Sequence, residues 1–139
     1  MNQFDQEIVK KALKAAWKYT SRCSPGSGHA NCAHFIDDDS VTVQYDGVTC
    51  SVECVDSLSL SDARDSLSLL IVELVHVWDP TLYREYQPED AAVLSTTLSA
   101  IIASRDHLSA RIAETTTTRG HWYTESTNYR DSGRPRGKW

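Results

Sequence analysis

No stretch of the sequence is apolar for long enough to cross a bilayer. A spanning helix needs about 20 apolar residues, and the longest run, Leu69 to Trp78, is interrupted by Glu73 and His76. The first residues are polar and lysine-rich, without the apolar centre of a signal peptide. The expectation is a cytoplasmic protein without membrane attachment. The recognisable catalytic motifs are missing too: there is no G-x-S-x-G elbow, Walker loop, G-x-G-x-x-G turn or H-E-x-x-H pair. Their absence leans the reading away from an enzyme. Cysteine is sparse, at four residues, and in the cytosol these thiols would stay reduced.

What is present describes ordinary globular material. The 139 residues are 40% hydrophobic and 24% charged, enough for one core without covalent staples. The net charge of −5 hides an asymmetry. Residues 1–114 hold nine Lys/Arg against seventeen Asp/Glu, a balance of −8, whereas 115–139 hold five against two, a balance of +3. An acidic body does not grip nucleic acid over its whole surface, but a basic tail is a candidate for doing so.

The patterning predicts an α+β domain over 1–114 followed by a flexible basic, aromatic tail over 115–139. Residues 3–19 read as an amphipathic helix, with Phe4, Ile8, Ala12, Leu13, Ala16 and Trp17 inward and Asp5, Lys10, Lys11, Lys14 and Lys18 outward. Asp46-Gly47 between alternating apolar residues predicts a two-residue hairpin turn. That turn pairs Tyr45 with Val48, Val43 with Cys50 and Val41 with Val52, and residues 34–36 add a third strand to the antiparallel meander. Cys50 and Cys54 then point inward, four strand positions and roughly 13 Å apart. A long C-terminal helical hairpin covers the sheet. Its first helix runs from about Asp62 to Trp78 behind an N-cap at Ser61, and its second half is apolar almost all round. The second helix opens at Pro88 and runs to about Glu114 on a seam of Leu94, Leu98, Ile101, Leu108 and Ile112.

Three groups of residues carry candidate chemistry. Cys23, His29, Cys32 and His34 place four thiol and imidazole groups within twelve residues, the ligand types tetrahedral zinc prefers. No cofactor is assigned beyond this zinc possibility, because the spacing matches no finger or ribbon pattern. Asp37, Asp38 and Asp39 lack the closing glutamate of a calcium loop. Glu73 and His76 form a single E-x-x-H, half of what a di-iron bundle uses. Glu73 is the only formal charge between Asp65 and Asp79, and Arg105 interrupts the facing seam. A buried Glu73–Arg105 pair fixing helix register is the expectation.

In the tail, Arg119, Arg130, Arg134, Arg136 and Lys138 alternate with Trp122, Tyr123, Tyr129 and Trp139, a mixture that suits single-stranded nucleic acid. Gly133-Arg134-Pro135-Arg136-Gly137-Lys138 resembles the Gly-Arg-Pro core of an AT-hook, which implies minor-groove binding. Ser132 stands where that family usually has an arginine.

Three functional classes follow. The first is a non-enzymatic interaction or regulatory protein, adaptor- or inhibitor-like, with a protein partner and self-association into a homo-oligomer through the helical hairpin. The second is a nucleic-acid-associated protein acting through its tail. The third is a zinc-bound or cysteine-dependent enzyme built on residues 23–34. The first is the leading expectation.

Overall fold

The computed structural model describes residues 1–23, 34–36, 40–82 and 87–120, with the backbone alone for 23, 34–36, 82 and 116–120. Two compact units divide the chain, Met1–Ser109 and Ala110–Trp139. Helix α1 spans Gln3–Cys23, strands β1, β2 and β3 span His34–Ile36, Val41–Tyr45 and Val48–Cys50, and helices α2 and α3 span Leu60–His76 and Pro88–Gly120. This is the expected α+β order: a helix, an antiparallel meander β1-β2-β3, then two helices.

The hairpin forms as the Asp-Gly signal predicts. Asp46 and Gly47 have φ of 52° and 79°, the doubly left-handed pair that matches strand twist. Val43 faces Cys50 and Tyr45 faces Val48, while β1 pairs through Ile36 with Val41 and His34 with Val43. The pairing ends at Cys50, so the expected Val41–Val52 rung is not made. The Cys54 N–H instead donates to the Ser51 carbonyl at 3.1 Å, and the resulting turn leads into a short 3-10 segment, Val55–Ser57. Cys54 thus leaves the strand and does not sit 13 Å along it.

Helix α1 buries only part of the expected stripe. Asp5, Val9, Leu13, Ala16 and Tyr19 are fully buried, Ile8 and Trp17 are half-buried, and Phe4 is 65% exposed. Ala12, Leu13 and Ala16 are buried as expected; Asp5, Val9 and Tyr19 join them in place of Phe4, with Asp5 drawn inward by a polar partner. Asn2 caps the helix, its Oδ1 accepting the Asp5 N–H at 2.7 Å.

Helix α2 starts two residues before the expected point. Ser59, not Ser61, is its N-cap, with Oγ accepting from the Asp62 N–H at 3.0 Å. Ala63, Ser66, Leu67, Leu70 and Leu74 are buried toward the sheet and α1, and Trp78 is buried just past the helix end. The Tyr19 hydroxyl donates to the Trp78 carbonyl, tying α1 to the exit of α2. The all-round burial expected for 69–78 does not hold. Val72 and Val75 are 51% and 41% exposed, so α2 has one buried face and an outer apolar ridge.

Helix α3 adds Leu94, Ile101 and Leu108 to the same core cluster and packs with α2. Thr97 is buried where the seam placed Leu98, which is half-buried beside it. The helix continues past the expected end at Glu114, through four threonines. Propagation needs only one further backbone bond per residue, and Thr115 Oγ1 adds a bond to the Arg111 carbonyl at 3.1 Å.

Candidate functional site

Two polar contacts hold α3 antiparallel to α1. Near the start of α1, Asp5 Oδ1 lies 2.8 Å from His107 Nε2. Near its end, Arg22 Nε donates to Asp90 Oδ1 at 2.7 Å. The contacts are seventeen residues apart on each helix, about 25 Å at 1.5 Å per residue. The equal spacing is what two straight antiparallel helices require. Asp5 has no solvent-exposed surface, and the His107 side chain is 30% exposed. The Phe4 ring meets His107 edge-on, with centroids 5.5 Å apart.

Between these clamps the facing side chains are small. Ala12 and Ala15 of α1 and Ala100 and Ala103 of α3, with Ile8, line an open groove of about 680 Å3. Each alanine ends at Cβ, so the helices meet without filling the space between them. Lys11, Lys14 and Lys18 stand along one rim. Their i, i+3, i+7 spacing puts all three on one side of α1. Ser104 and His107 lie at the other helix's side of the groove. Among the described residues none of the three lysines forms an ion pair, whereas neighbouring Lys10 meets Glu7 at 3.5 Å. A row of cations without ion pairs among the described residues stands out in a segment, 1–114, whose balance is −8.

Ser104, His107 and Asp5 carry the side chains of a hydrolytic triad, but the geometry does not serve acyl transfer. The Ser104 hydroxyl donates to the Ala100 carbonyl at 3.1 Å, so its proton is directed to the backbone. Both Ser104 and His107 stand in the middle of α3, where backbone N–H groups are used by the helix itself. No pair of such donors is left to hold an oxyanion. What the groove offers is an apolar floor, a cationic rim and one imidazole. That is binding chemistry.

The residues singled out from the sequence fare unevenly. Arg105 Nε donates to Asp106 Oδ1 at 2.9 Å, and no ion pair joins it to Glu73 among the described residues. Glu73 Oε2 is buried without a hydrogen-bond partner there. The expected register pair is therefore not formed: each charge sits on its own helix, with Arg105 taking the acid next to it in sequence. His76 is exposed at the end of α2. The proposed zinc ligands Cys23, His29, Cys32 and His34, the acids Asp37, Asp38 and Asp39, and the tail residues Arg119, Arg130, Arg134, Arg136 and Lys138 lie outside the residues whose side chains are described. Among the described residues no three His, Cys, Asp or Glu side chains gather as a metal site, and no helix is long and apolar enough to cross a membrane.

Cys50 is fully buried, as expected of an inward strand position. Burial pushes its thiol from an ordinary 9.0 up to about 12, with Cys54 adding to the rise and the Ser66 hydroxyl opposing it. Between those values the unfolded chain loses this proton and the folded chain keeps it, so stability falls as pH rises above 9. Unfolding free energy should drop by about 1 kcal/mol between pH 9 and pH 10 from this group, since the unfolded thiol is already half-ionised at pH 9. Denaturant titrations of wild type and Cys50→Ala at both pH values measure it; the variant's drop should be smaller by that amount.

The sequence pattern puts the lysines on the outer face of α1 but carries no signature of the groove. The available signal was local: three lysines at i, i+3, i+7 on α1, and Ala100 with Ala103 at i, i+3 on α3. Their convergence is a tertiary fact. No protein-family model matches this chain, and comparison with curated proteins and solved structures found no match.

Proposed function

We propose that this is a non-enzymatic interaction protein whose working surface is the α1–α3 groove. The observation that carries the reading is a lysine row, without ion pairs among the described residues, over an alanine floor. Exposed cations favour acidic groups at close contact and so select the sign of the partner's surface, and the open apolar floor supplies area to bury. The protein then acts as an adaptor or inhibitor by occupying a segment of its partner. A photo-crosslinking side chain at Ala15 or Ala103 tests this in extract of the native source. The same partner should be captured from both positions, and capture should fade in high salt. Equal capture from Asp46 at the hairpin tip, or from Ser61, would contradict a groove-specific function.

A second surface supports the reading that the protein also self-associates. Val72 and Val75 project from the outer face of α2 at 51% and 41% exposure, and an apolar ridge suits a two-fold contact between copies. The groove does not, because two copies meeting there would bring their lysine rows together. Sedimentation of Val72→Glu/Val75→Glu against wild type reads this directly: a wild-type dimer that the variant converts to monomer is expected, and a wild-type monomer at micromolar concentration removes the reading.

A further inference from the structure

We infer that the occupant of the α1–α3 groove is an acidic amphipathic helix of a partner protein, lying between the two helices as a third. This rests on the groove being the interaction surface and goes on to name the chemistry of what it takes.

Shape is the first argument. The groove runs along α1 from Ile8 to Lys18, about 15 Å or three helical turns. It is a trough between two helices and is open along its length, whereas pockets for small molecules enclose most of the ligand's surface. Alanine on both walls lets another backbone approach closely. A helix presenting apolar side chains at i, i+3 or i+4, and i+7 meets such a trough in the helix-in-groove mode.

Charge is the second argument, and it excludes the nearest alternatives. Lys11, Lys14 and Lys18 have no acidic partner among the described residues, so acids on the incoming helix would be their counter-charges. The chain's own tail is not the occupant, since residues 115–139 carry five cations against two acids. A second copy presenting the same groove would bring like charges together. An acidic segment from a different protein satisfies both the apolar floor and the rim.

A display library of helical peptides, unbiased in charge, tests the assignment against the full-length protein. Clones enriched for Asp and Glu flanking a three-turn apolar stripe are expected. They should lose at least tenfold in affinity for Lys14→Glu/Lys18→Glu, and lose binding to Ala15→Trp, which fills the trough. Both lysines are exposed, so the charge reversal should leave the fold intact, and circular dichroism checks this. Neutral or basic clones that Ala15→Trp still blocks would overturn the acidic-helix assignment while leaving the groove as an interaction surface. Clones indifferent to all three substitutions, or no enrichment, would overturn both.

Discussion

Leu70→Ala should lower the unfolding free energy by about 2–5 kcal/mol, the range for deleting a buried leucine side chain. Leu70 has no exposed surface and sits in the middle of the α2 stripe that faces the sheet and α1. Removing three carbons there forfeits the transfer energy of the side chain and leaves a void that a sheet on one side and a helix on the other cannot close. Val72→Ala, two residues on, is the informative control. Val72 is 51% exposed, and alanine is the better helix former by a few tenths of a kcal/mol. Its effect on a monomeric chain should stay within about 0.5 kcal/mol. Urea titrations of both variants should show a shifted midpoint for Leu70→Ala at unchanged slope. Equal losses from the two would mean that α2 is surrounded on all sides.

His107→Ala should cost about 2–3 kcal/mol. The imidazole is the hydrogen-bond partner, at 2.8 Å, of a carboxylate with no solvent access. Taking a partner from a buried carboxylate leaves its desolvation less compensated, which is more damaging than losing an exposed pair. The loss falls below the range for fully buried pairs because the His107 side chain is 30% exposed. The edge contact with Phe4 goes too, worth about 0.5–1 kcal/mol. Asp5→Asn keeps a polar group against the imidazole and should cost less. Hydrogen exchange should quicken in the first turns of α1 in His107→Ala, since one of the two clamps on the groove is gone. A loss under 0.5 kcal/mol with unchanged exchange would show that the contact does not hold the helices together.

The parts of this fold legible in the sequence are those decided by neighbours in the chain. Asp46-Gly47 fixes the turn because its backbone geometry favours those residues, and the turn then sets the Val43–Cys50 register through β2. Pro88 marks the first turn of α3 for a similarly local reason. Errors begin where a distant group intervenes. Carboxylates usually face water, so the sequence pattern puts Asp5 outward; its partner is 102 residues away, and Asp5 is buried while Phe4 stays outside. No Glu73–Arg105 pair forms among the described residues, and there Arg105 meets its sequence neighbour Asp106. The groove was illegible because alanine and surface lysine are commonplace alone, and only the antiparallel alignment of α1 and α3 brings the two alanine stripes together.

Paramagnetic broadening from a nitroxide on α3 is the most direct check on that alignment. The label is placed at Asp106 in one protein and at Glu89 in another, with Cys23, Cys32 and Cys54 replaced by serine. The Asp106 label should broaden the amides of residues 4–8 most strongly within α1, and the Glu89 label those of residues 19–22. The reverse order, or equal broadening along α1 from both labels, would contradict the helix pairing that forms the groove.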